Sequence, residues 1–372
     1  MIDAAWRDAQ NVLLIRLDNL GDVLVTTPAM HAVRVGLPNA RLTLLTSPVG
    51  AQAGRLNPDL DDVLVYEAPW MDPWRQLPHD PAREAATIAE IARRRFDAAI
   101  IFTSFRQSSL PAAYLCYLAG IPLRAAASID GPGSLVTTRH KHPERMMHEV
   151  ERGLDLVGAL GFPTAPTALV LRVPGRARAE IAGLADACDD GRPVVVIHPG
   201  CSMPARTYPW DGFAAVAGLL VENLAARVVV TGAAAEADLV ARVVDAVPPL
   251  TRDSVRPAAG VFSFPGLCAL IERADLVVTN NTGPMHIAAA VQTPVVALFA
   301  LTNPPEQWGP WRVPHRLLNH DVPCRLCYSR ICPTTHDCLR LVTPDDVLAA
   351  ARELLAERRS PDLALAGAGA AS

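Results

Sequence analysis

Short, largely apolar runs alternate along this chain with longer stretches whose apolar residues recur every three or four positions. Asn11–Leu17 (NVLLIRL), Arg41–Leu45, Asp62–Tyr66 and Asp97–Phe102 (DAAIIF) are runs of the first kind. Side chains apolar on both faces mark strands covered from both sides, as in a parallel sheet. Helical stretches fall at 23–36, 81–95 and 109–119, followed by a further strand at 123–128 and a helix at 148–160. The pattern then restarts, with strands at Pro193–Ile197, Arg227–Thr231, Asp275–Thr279 and Pro294–Phe299 and helices near 210–224, 235–246 and 282–291. The segment 163–193, rich in Pro, Gly and charge, reads as the linker. The expectation is an α/β chain of two doubly wound domains, 1–168 and 169–345, with a closing helix at 346–359 and a disordered, small-residue tail at 360–372. In such folds a ligand is expected at the carboxyl ends of the strands, in the crevice between the domains.

Composition narrows the function. Half of the 372 residues are hydrophobic and 19% are charged, so the chain is globular. A formal net charge of −4 lacks the basic excess that nucleic-acid binding needs. Lys141 is the sole lysine among 34 basic residues, so a cationic phosphate contact here falls almost entirely to arginine, whose fork can hold two oxygens. Met1–Gln10 carries Asp3, Arg7 and Asp8 and is no signal peptide. The longest apolar stretch, Ile287–Leu301, is broken by Gln292, Thr293 and Pro294 and is too short to span a bilayer. A cytoplasmic protein is expected, with cysteines that read as thiols or metal ligands.

Four strand-end loops carry candidate chemistry. After the first strand come Asp18, Gly21 and Asp22, and Asp22 stands where a general base would, at a helix N-terminus that favours its anionic form. Its bland alternative is an N-cap, and Asp18 is a rival carboxylate. Neither G-x-G-x-x-G nor a P-loop is present, which removes dinucleotide oxidoreductases and P-loop NTPases. After Pro193–Ile197, Gly200 lets backbone approach a ligand, Ser202 offers a hydroxyl, and Arg206 offers a fork for an anion. After Asp275–Thr279, Asn281 or Thr282 reads as N-cap with Pro284 in the first turn. The N–H groups of Thr282 and Gly283 then make an anion site, with His286 one turn on along the same face. Glu236, shortly after another strand, suits a ribose hydroxyl or a base; a helix first-turn glutamate is the alternative.

Taken together, IRLDNLGDVLVTTPA (15–29), HPGCSMPARTYPWDGF (198–213), TGAAAE (231–236), NNTGPMHIAAAVQTPVVALFALTNPPEQWGPW (280–311) and PCRLCYSRICPTTHDCLRLVTPDDVL (323–348) resemble glycosyltransferase family 9, the ADP-heptose:lipopolysaccharide heptosyltransferases. The resemblance runs through almost the whole chain, in the family's order. It implies two Rossmann-like domains (the glycosyltransferase B fold) and metal-independent, inverting transfer from ADP-heptose to a lipopolysaccharide core or related lipid-linked glycan. No cofactor beyond the donor is implied, and contact with the inner membrane is peripheral at most. By the same resemblance Asp22 matches the general base, and Arg206 the residue holding the donor phosphates. Gly200, Cys201 and Ser202 match the neighbouring phosphate loop, Glu236 the acid near the nucleoside, and Thr282, Gly283 and His286 the phosphate-binding turn. Asn281, also assigned to the donor site, stands where most relatives have Asp. Thr207-Tyr208 replaces a basic residue and Trp, and Ala300-Leu301 replaces Gly-Pro. These departures touch the donor side and keep open a relative that uses another nucleotide-sugar; a nucleotide-sugar epimerase on the same fold is a further alternative.

Weaker signals remain. Cys324, Cys327, Cys332 and Cys338 form C-x₂-C-x₄-C-x₅-C, which reads either as a structural metal site or as reduced thiols or a labile disulfide. Arg93-Arg94-Arg95 ends a helix, as a solvated end or as a contact for an anionic surface. Arg139-His140-Lys141-His142 lies in a loop where a phosphorylated acceptor could dock, and Trp70, Trp74, Trp308 and Trp311 suit either stacking on a sugar or core packing.

Overall fold

The computed structural model describes residues 1–72, 74, 76–165, 167–183 and 190–359. The tail expected at 360–372, and residues 166 and 184–189 of the expected linker, lie outside the described residues. The chain divides into two compact units, one ending at Arg172 and the other beginning at Val173.

The first unit is a parallel six-stranded sheet in the order β3-β2-β1-β4-β5-β6. Its strands are β1 (Asn11–Arg16), β2 (Arg41–Thr46), β3 (Asp62–Val65), β4 (Ala98–Ile101), β5 (Leu123–Ala127) and β6 (Thr138–His140). Val12 to Ile15 of β1 pair with β2 on one side and with Ala98 to Ile101 on the other, so β1 is central and buried on both faces. Helices α1 (Leu20–Gly36), α2 (Pro81–Arg93), α3 (Leu110–Leu118) and α4 (Glu149–Gly158) cover the sheet. Pro28 inside α1 leaves the Leu24 carbonyl without its usual N–H donor, and the Thr27 hydroxyl donates to that oxygen at 2.6 Å instead. Gly153 lets α4 lie close on α1: a Cβ there would sit 3.2 Å from the Ala29 methyl.

The second unit repeats the architecture with β7 (Val194–His198), β8 (Arg227–Gly232), β9 (Val255–Ala259), β10 (Leu276–Asn280), β11 (Val295–Leu298) and β12 (His315–Leu318), all parallel, in the order β12-β11-β10-β7-β8-β9. Its helices are α5 (Trp210–Leu224), α6 (Ala237–Asp245), α7 (Phe264–Arg273), α8 (Gly283–Ala290) and α9 (Pro344–Arg359). The last of these packs on α5 and on strands β10 to β12. Both orders are the doubly wound 3-2-1-4-5-6 arrangement, with the chemistry-bearing loops leaving the central strands β1, β7 and β10.

The structure corrects several boundaries. The second sheet has six strands where the hydrophobic pattern marks four, because β9 (VRPAA, with Arg256 and Pro257 exposed) and β12 (HRLL) are edge strands without a doubly buried run. Helix α7 and strand β6 are further elements that the pattern misses. Helix α1 begins at Leu20 rather than at 23, which brings Asp22 into its first turn.

Candidate functional site

In the first unit, α1 starts directly after β1, and Asp22 occupies its third position. One oxygen, Oδ2, accepts from the Asn19 backbone N–H at 3.2 Å. The other, Oδ1, accepts from Arg16 Nη2 at 3.1 Å, and the Ser104 hydroxyl stands 3.4 Å away. Arg16, the last residue of β1, is 2% exposed. It donates to Ser104 Oγ at 2.5 Å, and its guanidinium also faces Asp18 at 2.9 Å and Glu149 at 3.6 Å. Burial works against the Arg16 charge, but these three carboxylates outweigh it and hold the arginine protonated. Burial pushes the Asp18 carboxyl up to about 6, with Arg16 pulling against it and Asp22 and Glu149 adding to it. Asp18 accepts from Gln107 Nε2 at 2.5 Å and is the less accessible of the two aspartates. Asp22 is thus the carboxylate better placed to reach a substrate, held in one rotamer by its helix turn and by Arg16.

The second unit draws together three loops distant in sequence. Gly200 follows β7, and a Cβ there would meet Glu236 Oε1 at 2.0 Å, so the absence of a side chain is what lets that carboxylate lie over the loop. Glu236 Oε2 accepts from Ala233 N at 2.7 Å and lies 3.9 Å from His198 Nε2. Burial pushes the His198 imidazole below its usual range, against the pull of Glu236. Burial raises the Cys201 thiol above its usual range, with Arg206 and Thr282 nearby working against it. Arg206 ends a short 3₁₀ turn and donates from Nε to Thr302 Oγ1 at 3.0 Å. Thr302 Oγ1 donates to Asn303 Oδ1 at 2.9 Å, and Asn281 Nδ2 donates to the same oxygen at 3.2 Å. Arg206 is therefore tethered, through two side chains, to the turn that opens α8.

Thr282 is the N-cap of α8, with Pro284 in the first turn, where its lack of an N–H leaves no bond unmade. His286 is buried one turn further on, and Ser202 stands exposed on its loop, outside these contacts. Tyr208 is a core residue: it is 3% exposed, stacks edge-on against Phe213 and donates its hydroxyl to the Val342 carbonyl at 2.8 Å.

Arg16, Ser104 and Glu149 carry no role in the motifs of the sequence. The available signal was a charge inside NVLLIRL, since a cation in a strand buried on both faces must be paired. Arg93 and Arg94 are both paired with Glu90, and Arg94 also with Asp62 at 2.6 Å. Trp70 and Trp74 are exposed. Cys324, Cys327, Cys332 and Cys338 are free thiols, and burial together with the other three raises the Cys338 pKa. Among the described residues no helix is long and apolar enough to cross a membrane.

Comparison with known proteins gives these loops a context. The family model for glycosyltransferase family 9 (heptosyltransferase) matches residues 85–336, more than half of the chain. Lipopolysaccharide heptosyltransferase 3 of Escherichia coli K12 is 24% identical over 91% of this chain and 96% of its own length. Lipooligosaccharide heptosyltransferase 2 of Campylobacter jejuni is 36% identical, over 24% of this chain and 28% of that protein. Among solved structures, a family 9 glycosyl transferase from Veillonella parvula superposes with a TM-score of 0.77 at 21% identity, covering 94% of this chain and 98% of that one. The Escherichia coli ADP-heptose lps heptosyltransferase II superposes with a TM-score of 0.75 at 20% identity, covering 94% of this chain and all of that one. The structural likenesses establish the two-Rossmann, glycosyltransferase B fold, and the family match establishes the rest: this chain is a glycosyltransferase that belongs to family 9, the heptosyltransferases.

Proposed function

We propose that the enzyme moves heptose from ADP-heptose to a lipopolysaccharide core or related lipid-linked glycan, with inversion at the anomeric carbon and without a metal ion. The observation that carries this reading is the tether from Arg206 through Thr302 and Asn303 to Asn281, which holds a guanidinium beside the N-terminus of α8. Preorganised positive groups of this kind stabilise the charge that grows on a departing nucleoside diphosphate. In this reading Glu236, above Gly200, accepts from the nucleoside, and Cys201, Ser202, Thr282, Gly283 and His286 complete the donor loop. Asp22 takes the proton from the acceptor hydroxyl as that oxygen attacks the face of the anomeric carbon opposite the leaving group. The similar Escherichia coli and Campylobacter jejuni proteins, lipopolysaccharide and lipooligosaccharide heptosyltransferases, support the sugar and the acceptor class. The enzyme works on the cytoplasmic side and touches the inner membrane only peripherally, where its acceptor lies.

A family relative that uses another nucleotide-sugar is the second reading, favoured by Asn281, which is buried and uncharged where the family resemblance implies an Asp. Calorimetry with ADP, UDP and GDP, each with and without magnesium, separates the two. Tight binding of ADP that ignores magnesium supports the heptose donor, a preference for UDP or GDP moves the donor to another sugar, and no binding to any of them refutes the donor site. Donor incubated alone tests the epimerase alternative, since an epimerase converts it and a transferase only hydrolyses it slowly. Asp22→Asn should lower kcat by about 10²–10⁴ with donor Kd unchanged; an equal loss in donor affinity would make Asp22 a binding residue.

A further inference from the structure

The motif Arg139-His140-Lys141-His142 finds no use in the transfer reaction, yet the fold gives its two histidines a common target. His140 ends the edge strand β6, and His142, two residues on, projects to the same side. His140 Nε2 and His142 Nδ1 each lie 2.6 Å from one and the same oxygen, Asp155 Oδ2, on helix α4. The two rings meet edge to face with centroids 5.0 Å apart, and all three ligand atoms lie within 4.8 Å of one another. A tie between β6 and α4 needs only one such hydrogen bond; two imidazoles converging on a single carboxylate oxygen form a cation-sized triangle.

We propose that His140, His142 and Asp155 bind one divalent transition-metal ion of the zinc type, with water completing a tetrahedral shell. Two imidazole nitrogens and one carboxylate oxygen are the donor set of such ions rather than of calcium or magnesium, which prefer oxygen. Bonds of about 2.0–2.2 Å separate neighbouring ligands by roughly 3.3 Å. Each imidazole therefore withdraws from Asp155 by only roughly 0.7 Å to admit the ion.

On binding, each imidazole gives up the N–H proton now directed at Oδ2 and takes up a proton on its other ring nitrogen, so one N–H bond breaks, one forms, and no net proton is released. Of the neighbouring cations, Lys141 faces Glu144 at 3.2 Å and Arg145 faces Glu151 at 3.7 Å, while Arg152 pairs with Glu149 at 3.3 Å and also acts electrostatically on Asp155 and His142. A bound ion would pin the edge strand to α4, the helix that carries Glu149 toward Arg16.

The test titrates Co²⁺ into full-length protein stripped of metal and kept reduced. The expected result is about one equivalent bound with the d–d absorption of nitrogen and oxygen ligation and no thiolate charge transfer, displaced by Zn²⁺. Asp155→Asn and His142→Gln should weaken binding by at least about 100-fold, beyond the loss typical of outer-shell changes, with nucleotide binding retained. His140→Gln supplies the same readout should Asp155→Asn fail to fold. No bound cobalt, or binding unchanged in these variants, overturns the proposal. So does cobalt with thiolate charge transfer that survives His142→Gln and disappears in Cys324→Ser, which places the ion on the cysteines.

Discussion

Replacing Arg16 by Gln removes the cation shared by Asp18, Asp22 and Glu149 and leaves buried carboxylates facing one another. Breaking a buried ion pair from one side costs about 3–5 kcal/mol, a large part of the roughly 5–15 kcal/mol that holds a domain together. The loss should also depend on pH in a defined direction. The Asp18 carboxyl rises from an ordinary 3.8 to about 6 in the folded protein, so folding favours its protonated form. A raised group of this kind contributes stability that is full below pH 3.8 and disappears as the pH climbs through 6. It contributes almost nothing at pH 7, on the order of 1 kcal/mol at pH 5 and a few kcal/mol at full effect. Arg16 pulls the Asp18 value down, so in Arg16→Gln it rises further and the gain on acidification grows. His142 and His198, whose values are depressed, oppose that slope in both proteins and drop out of the difference. Urea unfolding of wild type and variant at pH 7 and pH 5 measures that difference. A deficit of several kcal/mol at pH 7, shrinking by about 1 kcal/mol or more at pH 5, is expected. A deficit under about 1 kcal/mol at pH 7, or one equal at both pH values, refutes the reasoning.

Three further outcomes are expected. Gly200→Ala places a methyl 2.0 Å from Glu236 Oε1 and must displace that carboxylate; nucleotide affinity measured by calorimetry should fall about tenfold, with about 1–3 kcal/mol of overpacking in thermal unfolding. Arg206→Lys keeps the charge but loses the fork and the Nε bond to Thr302, so ADP should bind about 10–100-fold more weakly by the same method. Tyr208→Phe leaves the buried Val342 carbonyl without its donor; urea unfolding should show a loss of about 1–3 kcal/mol while nucleotide affinity stays put, and a change in affinity would return Tyr208 to the binding surface.

What could be read from the sequence follows from where each element sits. β1, β7 and β10 are covered on both faces, so each has a core of consecutive apolar residues, with polar residues only toward its ends, and stands out from the neighbouring pattern. Edge strands pair on one side only and tolerate Arg256, Pro257 and His315, so β9 and β12 carry no such signal. Helix α7 does carry a start signal that the hydrophobic pattern misses, Ser263 as N-cap with Pro265 in the first turn, and the Ser263 hydroxyl accepts from Gly266 N at 3.1 Å. In the site, Asp22, Thr282 and Gly283 could be found because local chain order alone puts them at strand-to-helix turns. The Arg16 cluster could not, since Ser104 and Glu149 arrive from segments roughly 90 and 130 residues away along the chain. Pairings of that range depend on the folded topology, not on any local pattern.

The four outer strands also govern what this chain does while it is being made. Two parallel sheets of the same strand order, built from similar Val- and Leu-rich runs, emerge one after the other from a single polypeptide, each an available template for the other or for another copy. Every one of the four borders is a short segment that resists such recruitment: Asp62 opens β3, Arg139 sits in three-residue β6, Arg256-Pro257 interrupts β9, and His315-Arg316 begins β12. A proline lacks the N–H that a foreign strand must bond, and a charge at a border resists desolvation when another sheet docks. Exchanging Pro257 and Arg256 for valines would be expected to leave the folded state almost unchanged while lowering the soluble yield, because what those residues protect is the interval before the second sheet has closed.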